Sequence, residues 1–139
     1  MTMSLLQAED LPAYKALIDA CFGISNDLSA YQKYSENTAY TIFVAKEGQQ
    51  IIGSATQYAV DLFTFDFQPS LMLFNVAVLP GRRREKIAQK LLRHIIENAK
   101  AQGYRSISLT CLADAYPAHK LYESAGFTRA DSVKYALYL

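Results

Sequence analysis

Three consecutive arginines, Arg82, Arg83 and Arg84, stand directly after the apolar run Val76–Leu79 with Pro80 and run into a helical pattern. Strand, tight loop and helix in that order make a place for an anion. The first four amides of a helix lack intrahelical partners, and the helix dipole adds about half a positive charge at that end. Phosphate or pyrophosphate is the usual guest. Arginines at a helix start conflict with the dipole, which prefers acidic side chains there, and such a local conflict points to a bound anion; solvated surface arginines are the plain alternative. Other residues that could do chemistry are Tyr122, His119 three residues before it, His94, and Asn75 inside the otherwise apolar LMLFNVAVL. A histidine titrates near neutrality. Asn75 cannot be a base, but its amide can position a water or an amine.

The elements that must hold these residues alternate in hydrophobic period. A strand near Met3 to Leu6 precedes a helix in which Tyr14, Leu17, Ile18 and Cys21 share one face, with Asp10 as N-cap and Gly23 as stop. A weaker helix follows, marked by Leu28, Tyr31 and Tyr34. YTIFVA and IIGSATQYAVDLF then flank a hairpin connection carrying Gly48, and LMLFNVAVL makes a further strand apolar on both faces. From Arg84 to Gln102 the pattern is helical, with Ile87, Leu91, Ile95 and Ala99 in one stripe. SISLTCL reads as a buried strand, PAHKLYESAG as a short helix, and VKYALYL as a terminal strand alternating Val133, Tyr135, Leu137 and Leu139. The order is βααβββαβαββ.

Bulk properties exclude several classes of function. The 139 residues are 51% hydrophobic and 19% charged, which suits one globular domain spanning 1–139. With 14 Lys plus Arg against 13 Asp plus Glu, no global basic field draws the chain to nucleic acid or membrane. Cys21 and Cys111, the only cysteines, form no disulfide framework and no metal-ligand pattern. Acidic residues interrupt the N-terminus, so no signal peptide is read there, and a cytoplasmic home is expected.

Two motifs carry a resemblance to the GCN5-related N-acetyltransferase (GNAT) family. The family's V-x-P, two residues, Q/R-x-x-G-x-G/A is met by Val78, Pro80, Arg83 and Ala88, with Lys86 in place of the first glycine. Its Asn-x-x-Ala-x-x-Leu-Tyr-x-x-x-Gly-Phe is met by Ala118, Leu121, Tyr122, Gly126 and Phe127, with Ala115 in place of Asn. The resemblance implies an α/β (α+β) fold: a mixed, mostly antiparallel, splayed sheet of about seven strands with four helices. It implies acetyl-CoA as the acyl donor, no metal, and transfer of acetyl to a primary amine by direct attack through a tetrahedral intermediate. The donor would lie between the fourth and fifth strands, its pantetheine along Val76, Ala77 and Val78, its pyrophosphate on Arg83, Arg84, Glu85, Lys86, Ile87 and Ala88.

Tyr122 stands where the family keeps the residue that protonates the departing thiolate. A phenol of pKa about 10 can do so at little cost to a thiol of about 8.5; the bland alternative is a tyrosine packed with its hydroxyl at the rim. Many relatives carry a carboxylate base on the fourth strand, where this chain has only Asn75, and His119 and His94 are weak substitutes. The acceptor, a small-molecule or peptide amine, would meet Tyr31, Tyr34, Phe63, Phe65 and Phe67 with Asp61, Asp66 and Asp131, a set that suits a small cation with an apolar part; Phe63, Phe65 and Phe67 equally fit a half-buried strand. Edge strands such as 133–139 often pair across dimers in relatives, which makes a homodimer an expectation too. Two rivals remain: a catalytically silent acyl-CoA-binding or regulatory protein, and a nucleic-acid binder using the arginines, which Glu85 and Glu97 argue against.

Overall fold

A computed structural model of the chain describes residues 1–32 and 35–139. Tyr34, assigned above to the second helix and the acceptor wall, lies outside the described residues. Five strands form one sheet in the order β1 (Thr2–Leu5), β2 (Tyr40–Glu47), β3 (Gln50–Val60), β4 (Ser70–Val78) and β5 (Ile107–Ser108). The first three pairings are antiparallel, and β4 with β5 is parallel. The helices are α1 (Leu11–Phe22), α2 (Leu28–Gln32), α3 (Ile87–Ala101) and α4 (Tyr116–Ser124).

Both faces of the sheet are covered, which is why its central strands are apolar at nearly every position. On one face Leu17 and Ile18 of α1 pack on Ile42, Val44 and Ala77. On the other, Leu91, Leu92 and Ile95 of α3 pack on Phe43, Ala55 and Leu73. The end of α1 follows the sequence: Gly23 takes φ 63° and donates its amide to Asp19 O. Its start does not. Asp10 occupies the N-cap position without a side-chain cap bond. Its carboxylate instead accepts the Gln7 amide at 3.1 Å and Lys46 Nζ at 2.8 Å, tying the helix entry to β2.

Four expectations are corrected. Among the described residues the sheet has five strands, not about seven. SISLTCL is not a buried strand: only Ile107 and Ser108 pair, and Leu112 is 75% exposed. Residues 133–139 form no strand at all. A period of two shows that a segment can be a strand, but not which edge it joins, and β5 offers only two paired residues. Finally, α3 begins at Ile87 and not near Arg84, because Arg84 and Lys86 are left-handed, at φ 78° and 60°.

Candidate acyl-transfer site

The sheet opens at a bulge in β4. Ser54 pairs with Ala77 and Thr56 with Phe74, so Asn75 and Val76 together face the single residue Ala55. Asn75 absorbs the extra residue at φ 53°, a conformation asparagine tolerates better than most. The insertion flips the side-chain alternation. Leu73 packs toward α3, and so do Val76 and Val78, while Ala77 faces α1. On its other edge β4 meets β5 only at Leu71 and Met72. From Leu73 onward that edge has no strand beside it, and the backbone groups of the 76–78 strip directed away from β3, the Val78 carbonyl apart, are open to an amide-bearing chain. Near the end of this strip the Val78 carbonyl accepts from Cys21 Sγ at 3.3 Å and from Arg83 Nε at 3.4 Å.

The strip leads to the arginine junction, where the three arginines separate. Arg82 is committed: its guanidinium donates to Glu85 at 2.6 and 3.0 Å and to Glu47 at 2.9 and 3.4 Å. Hydrogen bonds to Glu85 and Glu47 raise its pKa, and Arg82 holds both carboxyls below their usual range. Glu85 is thereby neutralised. Arg84 makes no hydrogen bond or ion pair among the described residues, and Arg83 makes only its long bond to Val78. The amides of Lys86, Ile87, Ala88 and Gln89 meet no backbone carbonyl; the first bond of α3 is Lys90 N to Lys86 O. Ile87 contributes only its amide, since its side chain is 2% exposed. It is held by Gly53, where a Cβ would stand 2.9 Å from Ile87 Cγ2 and 3.3 Å from Ala77 O. Free amides at a helix start with two uncommitted cations fit a pyrophosphate.

Tyr122 reaches the opposite side of the opening from α4. It packs beside Leu91 and Leu92, its ring centroid is 5.9 Å from that of Phe127, and it lines a cavity of about 710 Å³ together with Cys111 and His119. Burial pushes its phenol up, and Cys111 adds to the rise. Its hydroxyl has no partner among the described residues. His119 Nε2 lies 3.0 Å from Leu112 O and 3.1 Å from Ala113 O, so it donates to carbonyls and is poorly placed to accept a proton there. His94 packs edge-on against Phe43.

A second cavity, about 610 Å³, lies between α1, α2 and the sheet and reaches Asn75. Tyr14, Tyr31, Tyr40 and Tyr58 line it. Burial pushes the Tyr14 phenol up to about 12, so it stays protonated. Its charged side chains are Asp27 and Lys15, the latter paired to Asp19. Of the expected aromatics among the described residues, Tyr31 lines it, and Phe63, Phe65 and Phe67 do not. Phe63 and Phe67 are 79% and 60% exposed and touch each other at 5.6 Å, and Phe65 carries the Arg105 guanidinium 3.5 Å from its ring centre. Asp61, Asp66 and Asp131 are exposed and line no part of it. Sequence reasoning missed Tyr40 and Tyr58. They become neighbours through the β2–β3 register, 6.0 Å between rings, which no local period reveals. Among the described residues no cluster of His, Cys, Asp and Glu could hold a metal ion, and no helix is long and apolar enough to cross a membrane.

Comparison with known proteins gives the same frame. The model of the acetyltransferase (GNAT) family matches residues 11–127. An Escherichia coli N-acetyltransferase named for an alanine of ribosomal protein bS18 is 29% identical over 136 residues, covering 93% of this chain and 82% of that protein. The Bacillus subtilis N-acetyltransferase YsnE is 48% identical over 89 residues, covering 63% and 55%. Among solved structures, an aminoglycoside acetyltransferase from an uncultured soil metagenomic sample superposes with a TM-score of 0.86 at 22% identity, over 99% of this chain and 95% of that one.

Proposed function

This chain belongs to the acetyltransferase (GNAT) family, whose members use acetyl-CoA as donor, and from that premise we propose that residues 1–139 act as one domain that acetylates a primary amine. It is an acyltransferase, and we place it in the cytoplasm. The observation that carries the reading is the strip of β4 left without a β5 partner after Met72, which runs through the Asn75 bulge and ends on the free amides of α3. In this reading Val76 to Val78 pair with the pantetheine, while Arg83, Arg84 and the amides of Lys86 to Ala88 hold the pyrophosphate.

Chemistry at the opening divides among few groups. A neutral amine attacks the thioester carbon, forming the C–N bond. A backbone amide near Val76 stabilises the oxyanion of the tetrahedral intermediate. As the C–S bond breaks, the Tyr122 hydroxyl gives its proton to the thiolate and regains one from the solvent side of its cavity. No carboxylate stands on β4 to take the amine's proton, so Asn75 orients the amine and a water that carries the proton away.

The 610 Å³ cavity narrows the acceptor to a compact amine with an aromatic or branched apolar body. Four phenols suit one cation held by π faces, with Asp27 as a single counter-charge. A polycation would leave most of its charges unmatched. Calorimetric titration with acetyl-CoA, then thiol release against arylalkylamines, aminoglycosides and N-terminal peptides, tests the reading. Micromolar donor binding with turnover of an arylalkylamine is expected; no binding at millimolar donor would refute it. Binding without turnover of any amine would establish the silent acyl-CoA binder, a second reading favoured by the missing carboxylate on β4.

A further inference from the structure

The tyrosine-lined cavity holds more hydroxyl groups than a site built only of π faces needs. The Tyr58 hydroxyl accepts from Asn37 Nδ2 at 3.3 Å, whereas those of Tyr14, Tyr31 and Tyr40 bond to no described residue. Burial is the main reason that the Tyr14 and Tyr31 phenols titrate high, and the nearness of Tyr40 to both adds to the rise. The three free hydroxyls therefore converge. Beneath them lies a fourth: Thr56 is 1% exposed, and its Oγ1 has no hydrogen-bond partner among the described residues. Strand register fixes its place. Its β2 partner Ile42 lines the cavity, as does Tyr58, two residues along on the same face, and its β4 partner Phe74 directly precedes Asn75. The Thr56 hydroxyl stands near enough to the Tyr14 phenol to oppose the effect of burial on it, though not in hydrogen-bond geometry. Ser54, the other buried hydroxyl of that face without a partner, differs, because its strand partners Val44 and Ala77 line no part of the cavity.

Buried hydroxyls without partners are costly, so this cluster fits a ligand that brings the missing hydrogen bonds. An ammonium group can only donate, and it leaves the phenol protons without an acceptor. A hydroxyl donates and accepts, so it satisfies Tyr14 whichever way the phenol proton points. Position narrows the ligand further. Thr56 stands one strand position from the Asn75 bulge, where the acyl-transfer reading sets the amine, so the oxygen that Tyr14 meets lies within a few bonds of the nitrogen. Resting on that reading, we propose that Tyr14, set by Thr56 beneath it, is a specificity-determining residue that selects a vicinal amino alcohol: an amine with a hydroxyl on the carbon next to the one bearing nitrogen. Tyr14 is the hydroxyl's partner, and Thr56 is a positioning residue that acts through it. A site built to hydrogen-bond a substrate hydroxyl discriminates against the analogue lacking it, because its own polar groups are then left unpaired.

Phenylethylamine and its β-hydroxy derivative differ by that one hydroxyl, and their kcat/KM ratio at saturating acetyl-CoA tests the assignment. Between wild type and Tyr14→Phe the preference for the hydroxylated amine should fall about tenfold, the effect of one hydrogen bond lost. Comparing the two proteins cancels the difference in basicity between the amines. Thr56→Val should lower the preference in the same direction, Thr56→Ser should keep it, and Ser54→Ala should leave both rate and preference at wild-type values. A merely structural role for Tyr14 would slow both amines equally. Calorimetric titration of the full chain with each amine, without donor, reads the same preference apart from turnover. Tighter binding of the hydroxylated amine that Tyr14→Phe abolishes, with turnover of neither amine, would keep the hydroxyl site and sink the acyl-transfer reading. Turnover at a ratio that Tyr14→Phe leaves unchanged would do the reverse and overturn the proposal, as would equal loss of both amines in that variant.

Discussion

Asn75 combines two roles that can be separated. Its left-handed backbone makes the bulge in β4, and Asn75 lines the tyrosine-rich cavity. Asn75→Gly keeps the bulge, so stability should change by less than about 1 kcal/mol while turnover falls only to the extent that the amide matters. Asn75→Val forces a β-branched residue to positive φ and should cost about 1 to 2 kcal/mol or more in urea unfolding. Equal stability of the two variants would remove the backbone account. For Tyr122→Phe, kcat should drop by about 10²-fold or more, the usual contribution of general acid catalysis, with acetyl-CoA affinity unchanged in calorimetry. An unchanged kcat refutes the acid role. The arginines should also diverge: Arg83→Glu should weaken acetyl-CoA binding at least about tenfold, since one charge-assisted hydrogen bond contributes that much, whereas Arg82→Ala, whose guanidinium already serves Glu47 and Glu85, should change it less. Sequence alone placed the triplet between a strand and a helix but could not rank its members, because Glu47 comes from a distant turn.

The start of α3 depends on how closely it approaches β3. Gly53 admits the Ile87 side chain at a distance no Cβ would tolerate. Gly53→Ala should therefore push Ile87 and the free amides outward, costing about 1 to 3 kcal/mol as other overpacked sites do, and weaken acetyl-CoA binding in the same variant. If melting temperature and affinity both stay at wild-type values, this contact does not position the junction. The apolar stripe of α3 was readable from its period, and so was the strand before it. The helix start was not, because Arg84 and Lys86 carry no local mark of a left-handed backbone, and a lysine there reads like any solvated residue.

Across the molecule, the Asp10–Lys46 pair ties the entry of α1 to β2 and so joins that helix to the sheet. The Lys46 hydrogen bond is the largest influence on Asp10 and, with the Gln7 amide, lowers its pKa against the opposing effect of burial. A carboxyl depressed on folding adds stability that is fully present above its unfolded pKa, near 3.9, and is lost as pH falls through the folded value. Wild-type protein should thus be more stable than Asp10→Asn at pH 7, with the gap closing below about pH 4 in parallel thermal melts. A gap that stays constant down to pH 2 would show that the ionised pair is not its source.

By itself the sequence determined the family, the helix-strand order up to the last helix, the arginine-bearing junction between strand and helix and the tyrosine on α4, because each rests on local spacing. Tertiary structure alone decided the rest. The tyrosine cavity is assembled from Tyr14, Tyr31, Tyr40 and Tyr58, which only strand register and helix packing bring together. The bulge in β4 rests on one inserted residue and the opening from β5 on a strand that pairs only at Ile107 and Ser108, neither of which alternation announces. The sheet ends at five strands because edge pairing is a property of neighbours in space, and residues 133–139 pair with no strand among the described residues.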